Sequence, residues 1–229
     1  MNLYIVATPI GNLQDITIRA AKTILEAQVI VTESTSKTGI LIQFLKEQFP
    51  NISYKEKSII SMTEDEEENK LPQIIKILGE NDVVLTSEAG TPLVSDPGFR
   101  LVREAVKRGA NIISIPGASA VISALTSSGL PTDKFIFLGY LPKKDSKINE
   151  ILTIAQKLKS ETSITLIFFD SPHRIIENLK KINGQFGNID IVIARELTKA
   201  HEEILRDKVE ELIKHFEEKS PKGEFVILI

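Results

Sequence analysis

The stretch Ser87-Glu88-Ala89-Gly90-Thr91-Pro92-Leu93-Val94-Ser95-Asp96-Pro97-Gly98 concentrates carboxylates at Glu88 and Asp96 and hydroxyls at Ser87, Thr91 and Ser95 among prolines and glycines. Glycine lets backbone approach a ligand closely, and proline removes conformational freedom in advance, so the loop is pre-shaped for a polar ligand. Its last residues have a second reading: Asp96 before Pro97 is a common helix start, an N-cap with proline at the first helical position. Four other stretches pair reactive side chains with turn residues. Thr8-Pro9-Ile10-Gly11-Asn12 continues to Thr17 with a plausible cap at Asp15. Pro116-Gly117-Ala118-Ser119-Ala120 offers small residues and free amides where a helix opens, which suits a polar or anionic group or simply a tight turn. Phe168-Phe169-Asp170-Ser171-Pro172-His173-Arg174 carries acid, hydroxyl, imidazole and guanidinium, and Ser171-Pro172 also reads as a plain cap pair. Arg195-Glu196-Leu197-Thr198-Lys199-Ala200-His201-Glu202 is dense in charge, either for chemistry or as solvated surface.

Several familiar chemistries are missing. Gly11 is the only glycine of its loop, so no dinucleotide fingerprint is present. Neither G-x-x-x-x-G-K-[ST] nor G-x-S-x-G occurs, and His173, His201 and His215 have no metal-ligand spacing. No metal is expected. The absence of cysteine removes disulfides, thiolate sites and cysteine nucleophiles, and fits a cytoplasmic location.

Each of these stretches follows a short apolar run and precedes a helical pattern. Strands are expected at Leu3–Ala7, Val29–Glu33, Ile52–Glu56, Val83–Thr86, Ile112–Ile115, Phe135–Leu138, Ile164–Phe169, Ile189–Ala194 and Glu224–Leu228. Helices are expected near Ile16–Glu26, Lys37–Gln48, Leu71–Gly79, Pro97–Arg108, Lys147–Lys159, Pro172–Ile182 and Lys208–Lys219. Such alternation is the signature of α/β layering, in which ligands bind at the carboxyl ends of the strands. Breaks over residues 116–131 divide the chain into two α/β domains, 1–117 and 118–229, expected to pack across a cleft. No run of about 18 apolar residues could span a bilayer. The net charge of −3 argues against nucleic-acid binding by bulk electrostatics alone. The acidic run Glu64-Asp65-Glu66-Glu67-Glu68 reads as a solvated helix start.

Taken together, the loops resemble the ribosomal RNA small subunit methyltransferase I family. The matching segments are Tyr4–Leu13 with Asp15-Ile16-Thr17, Ala89–Gly98, Pro116–Ala120, Ser128–Asp133, Ser171–Arg174, Ala194–Lys199 with His201-Glu202-Glu203, and Pro221–Val226, in order along nearly the whole chain. The resemblance implies a tetrapyrrole methylase fold of two α/β domains that binds S-adenosylmethionine. The implied assembly is a homodimer, and the implied activity is methylation of a cytidine ribose 2′-hydroxyl in 16S rRNA of the small ribosomal subunit. It implies cofactor contacts from Pro9, Glu88, Ala89, Gly90, Thr91, Val94, Ser95, Asp96, Pro116, Gly117, Ser119, Ala120, Tyr140, Leu141, Phe169, Asp170 and Ala194.

The ribose oxygen must lose a proton during transfer, so a base is required. Glu196 and Lys199 are the leading candidates beside Arg195, with Glu33 and Glu56 behind them. Arg174 and Arg195 are expected at flanking phosphates, Glu33 near substrate, and Lys143, Lys144 and Lys147 on the substrate side or on a solvated face. This chain departs from the family pattern in several places. Glu33-Ser34-Thr35-Ser36-Lys37 stands where relatives have Asp-Thr-Arg, and Glu88 stands for Asp. Tyr54–Ser58 keeps only the Glu of a His-Glu-His-Asn run, and the C-terminal helical extension is absent. A tetrapyrrole C-methyltransferase and a non-catalytic nucleotide-binding module are the rival readings.

Overall fold

The computed structural model describes residues 1–229, which form two compact units, Met1–Ser119 and Ala120–Ile229. The first unit is a five-stranded parallel sheet of β1 (Asn2–Val6), β2 (Val29–Thr32), β3 (Ser58–Ser61), β4 (Val83–Thr86) and β5 (Asn111–Ile115), in the order β3-β2-β4-β1-β5. Both of its faces are covered, which is why β2 and β4 are buried along their whole length and read as continuous apolar runs. Side-chain alternation divides the core. Leu3, Ile5, Val31, Val83 and Leu85 pack on α3 (Glu67–Glu80) and α4 (Phe99–Lys107). On the opposite face, Val6, Ile30, Val84 and Ile115 pack on α1 (Ile18–Glu26) and α2 (Thr35–Gln48).

Strand order and helix placement together mark the candidate site. Neighbouring strands β1 and β4 send their following helices to opposite faces, α1 to one and α4 to the other. That divergence opens a gap at their carboxyl ends, the topological switch point of an open α/β sheet.

The second unit is a mixed sheet of β6 (Phe135–Tyr140), β7 (Thr165–Asp170), β8 (Asp190–Arg195), β9 (Glu203–Lys208) and β10 (Phe225–Leu228), ordered β6-β7-β10-β8-β9. Leu166, Phe168, Ile191, Ile193, Phe225 and Ile227 face α6 (Asp145–Glu161), α7 (Ile175–Phe186) and α8 (Val209–Glu218). The short α5 (Ala120–Ser128) packs on β8, β9 and β10. Arg206 of β9 ties it there, donating to the carbonyls of Ser127 and Ser128 that end the helix. No helix is long and apolar enough to cross a membrane.

Most expected elements are present, and the departures have physical causes. Strand three is Ser58–Ser61, not Ile52–Glu56, because Ser58 N bonds Gln28 O at 2.8 Å and Val29 pairs with Ser58. Residues 52–57 instead close the end of α1: Lys55 N donates to Leu25 O at 3.0 Å, and Lys57 Nζ donates to the carbonyls of Leu25, Ala27 and Lys55. Glu56 therefore lies before the strand, at the amino edge of the sheet, away from the loops that follow β1 and β4, and is no base candidate. Strand β9 escaped the sequence reading because it is an edge strand, paired on one side only and rich in charge. The cap of α1 is Thr17, whose hydroxyl accepts from Ala20 N at 3.1 Å, whereas Asp15 lies in a 3₁₀ turn capped by Asn12.

Candidate active site

In the first unit three loops meet at the carboxyl edge of the sheet. Thr8, just past β1, exchanges backbone hydrogen bonds of 2.9 and 3.0 Å with Gly90 of the β4–α4 loop. Ser87 Oγ donates to Gly90 O at 2.8 Å, and Thr91 Oγ1 donates to Ala118 O at 3.2 Å, bringing in the loop after β5. Gly117 permits that approach, since a Cβ there would stand 3.0 Å from the Ala7 Cβ. Pro9, Glu88, Ala89, Gly90, Thr91, Val94, Ser95, Asp96, Pro116, Gly117 and Ser119 thus all lie on the three loops of this edge. The backbone of the long loop is forced into left-handed conformations at Gly90, Leu93, Ser95 and Gly98, two of them at side-chain-bearing residues. Such cost persists only where surrounding contacts over-determine the shape, and it concentrates at functional sites.

The expected helix start at Asp96-Pro97 is not what forms. The cap residue of α4 is Gly98, with φ of 119° and no side-chain cap, and Asp96 caps nothing. A Cβ at Gly98 would come within 2.8 Å of Leu85 Cδ2 and 2.9 Å of Leu93 Cδ2, so the chain turns sharply against the core and the helix cannot extend back to Asp96. Freed from capping, Asp96 sits half-buried among carboxylates. Burial first, then the charges of Glu33 and Glu88, raise its pKa to about 7. Glu33, at the end of β2, is raised in the same direction, by burial and by Glu88, with Lys37 opposing. Lys37 in the first turn of α2 meets Glu88 at 2.5 Å and fastens the long loop to that helix. Below these groups lie the buried hydroxyls of Thr8, Thr32, Thr38, Thr86 and Ser87; Thr32 and Thr38 bond each other at 2.8 Å, while Thr86 Oγ1 has no partner.

In the second unit β6, β7 and β8 run parallel, so Tyr140, Asp170 and Arg195 end on one edge, beside Phe225 at the start of β10. Tyr140 and Phe169 meet edge to face at 5.5 Å, and Phe169 also meets Phe137 at 4.7 Å. Sequence reasoning missed Phe137, although its two-residue spacing from Phe135 in a strand was the available signal. Other residues here are occupied by the fold itself. Leu141 and Ala194 are buried. Ala120 is the first residue of α5. The Asp170 carboxylate accepts from Asn178 Nδ2 and Ser171 N; burial raises its pKa against those bonds. Arg174, expected at a phosphate, donates to the carbonyls of Leu141 and Pro142 at 2.7 and 2.6 Å and pins the β6–α6 loop.

Glu196, Lys199 and Arg195 form a lattice instead of a free reactive group. Glu196 Oε1 accepts from Lys199 Nζ at 2.8 Å and from Glu224 N at 3.0 Å, and Lys199 also reaches Glu224 at 3.1 Å. Burial alone would raise the Glu196 pKa, but the bonds to Lys199 and Glu224 N outweigh it and hold it below the usual carboxylate range. Arg195 donates to Lys222 O at 2.7 Å and to Glu203 at 3.2 Å. Lys143 and Lys144 stand exposed at the start of α6. In the first unit, the acidic run is not solvated throughout: Glu67 is buried and accepts from Leu101 N at 3.0 Å.

Comparison with known proteins agrees with this architecture. Residues 2–213 match the model of the Tetrapyrrole (Corrin/Porphyrin) Methylases. The chain is 39% identical to the ribosomal RNA small subunit methyltransferase I of Thermotoga maritima, over 99% of this chain and 97% of that protein. It is 40% identical to the protein of the same name from Halalkalibacterium halodurans, over 99% of this chain and 75% of that one. Among solved structures, a diphthine synthase shares the fold with a TM-score of 0.75 at 19% identity, over 100% of this chain and 89% of that one. A uroporphyrin-III-C-methyltransferase from Thermus thermophilus does so with 0.64 at 17%, over 99% of this chain and 93% of that one. The family match over residues 2–213 and the similarity to these relatives along 99% of the chain place it in the tetrapyrrole methylase family, among the ribosomal RNA small subunit methyltransferases I.

Proposed function

We propose that the protein transfers a methyl group from S-adenosylmethionine to the ribose 2′-hydroxyl of a cytidine in the 16S rRNA of the small ribosomal subunit, acting in the cytoplasm as a homodimer. The observation that carries this reading is the 39% identity to the ribosomal RNA small subunit methyltransferase I of Thermotoga maritima along 99% of the chain. The first unit's edge suits the cofactor chemically. Its carboxylates Glu33, Glu88 and Asp96 complement the positive charges of the cofactor's sulfonium and ammonium groups, and the unpartnered, buried Thr86 hydroxyl is a hydrogen-bonding group that the fold leaves unused. When bound, S-adenosylmethionine supplies a methyl carbon activated by a sulfonium.

The chain's own residues then have two tasks. The interlocked Thr8, Gly90 and Ala118 backbone fixes orientation, so that little entropy is lost on reaching the in-line geometry. A group whose proton affinity is near neutral must relieve the attacking hydroxyl of its proton. Asp96, at about 7, is matched to that task, whereas Glu196 is held too acidic and is bound on both sides. Exposed Lys143, Lys144 and Lys147 of the second unit are suited to RNA phosphates, and the Phe137, Phe169 and Tyr140 cluster to stacking against a splayed base.

The test is incubation with methyl-labelled S-adenosylmethionine and either small subunits lacking the modification or a porphyrinogen precursor, followed by location of the label. Label on a cytidine 2′-oxygen is expected. Label on the porphyrinogen would establish a C-methyltransferase, and cofactor binding without transfer to either would leave a non-catalytic module.

A further inference from the structure

We infer that Glu67 is a positioning residue for the cofactor loop: from α3 it caps α4 in place of the cap that Gly98 does not provide, and so fixes the loop's exit. The inference rests on the methyl-transfer reading, which makes residues 87–98 a cofactor wall.

Helix α4 starts immediately after the loop, and its first amides need acceptors. Gly98 has no side chain to supply one. Glu67 is 5% exposed, and its Oε1 accepts from Leu101 N, the third residue of α4, at 3.0 Å, across 34 residues of sequence. A carboxylate is expensive to bury unless it is hydrogen-bonded and faces positive potential. Glu67 has both, lying in the first turn of α3 and against the start of α4, where both helix dipoles present their positive ends. The same helix pair carries an exposed Arg100–Glu68 contact of 2.7 Å, too open to solvent to substitute for it.

The coupling to the loop is steric. The left-handed turn at Gly98 lies against Leu85 at the end of β4 and Leu93 in the middle of the loop, with no room for a Cβ. Moving the start of α4 therefore moves Leu93 and the backbone that leads to Asp96. At its other end the loop is held by Thr8, Ser87 and Ala118. Glu67 is the second anchor.

The experiment compares the wild type, Glu67→Gln, which keeps an acceptor oxygen without charge, and Glu67→Ala, which keeps neither. A control, Ile24→Ala, opens a cavity on the opposite sheet face. Affinity for S-adenosylhomocysteine is measured by calorimetry, and amide exchange is followed over residues 87–103. Glu67→Ala is expected to weaken binding about five-fold, the factor one helix cap is worth, with faster exchange in the loop. Glu67→Gln should fall between it and the wild type, and Ile24→Ala should lose stability without that loss of affinity. Unchanged affinity in both Glu67 variants overturns the inference and leaves the methyltransferase reading standing. Should Glu67→Ala not fold, unchanged affinity in Glu67→Gln with wild-type loop exchange overturns it equally. A wild type that does not bind the ligand overturns both.

Discussion

The carboxyl edges of the two sheets carry similar residue types and use them in opposite ways. At the first unit's edge the loops are held mainly by backbone pairing and hydroxyls, through Thr8 with Gly90, Ser87 with Gly90 and Thr91 with Ala118, with Lys37–Glu88 the one ion pair among them, and the carboxylates Glu33 and Asp96 keep raised proton affinity. At the second unit's edge the charged groups themselves are the fastening: Glu196 to Lys199 and Glu224 N, Arg195 to Lys222 O and Glu203, Arg174 to Leu141 O and Pro142 O. An ionised group that already has good partners is stabilised in that state and makes a poor acid or base. Density of charge is thus a weaker guide to chemistry than charge left unpartnered.

The largest test of this contrast is kinetic. Asp96→Asn should lower kcat by about 10²–10⁴-fold, the range of general-base catalysis, while Glu196→Gln stays within a few-fold. In the wild type, kcat/KM should rise with pH through about 7 as Asp96 of the free enzyme ionises. Equal losses in single-turnover assays of the two variants would erase the distinction.

Next come the two crowded glycines. Gly98→Ala and Gly223→Ala should each cost about 2–3 kcal/mol in denaturant unfolding, since both positions combine positive φ with no space for a methyl group. The neighbours differ. Gly98 faces Leu85 and Leu93, so its variant should also weaken cofactor binding, whereas a Cβ at Gly223 would come within 2.4 Å of Glu196 and should disturb the ion lattice instead.

A smaller effect separates the bound arginine from the free lysines. Arg174→Ala should destabilise by about 1–3 kcal/mol, the cost of leaving buried acceptors unmet. Lys143→Ala and Lys144→Ala should leave stability within about 0.5 kcal/mol and each reduce the salt slope of RNA binding by about one. A stable Arg174→Ala with a reduced salt slope would return that residue to the substrate side.

The smallest effect is thermal, and the two edges give it opposite signs. A carboxyl whose folded pKa is raised binds its proton more tightly when folded, so its stabilisation is complete below the unfolded pKa and is lost as pH rises to the folded one. For Asp96 that window runs from about 4 to about 7, and lowering pH from 8 to 5 should raise Tm by about 2–4 °C in the wild type but not in Asp96→Asn. Glu196, held low, contributes stability above its unfolded pKa and loses it as pH falls further. Amide exchange read separately in each sheet would resolve the two slopes.

How much of this was legible in the sequence differs from element to element. Strands β2 and β4 were plain, because strands covered on both faces read as near-continuous apolar runs. Strand β3 was not, because Ile52–Glu56 and Ser58–Ser61 both suit a strand, and only pairing with Val29–Thr32 chooses between them. The positions of Gly90 and Thr91 beside a polar turn made the long loop visible as a candidate site, but nothing local revealed that Thr8 would pair with it from the first strand.

The sequence by itself determined the α/β class, most of the elements and the family, because periodicity and turn residues are local properties and are written in consecutive residues. Only the tertiary structure decided which charged residues are spent on the fold. Glu67, Asp96 and Arg174 look alike as side chains beside helix starts, and Glu196 as one more charge at a strand end. Their fates depend on a backbone amide 34 residues away, on two neighbouring carboxylates, on a pair of carbonyls and on a glycine turn, all of which folding alone brings within reach.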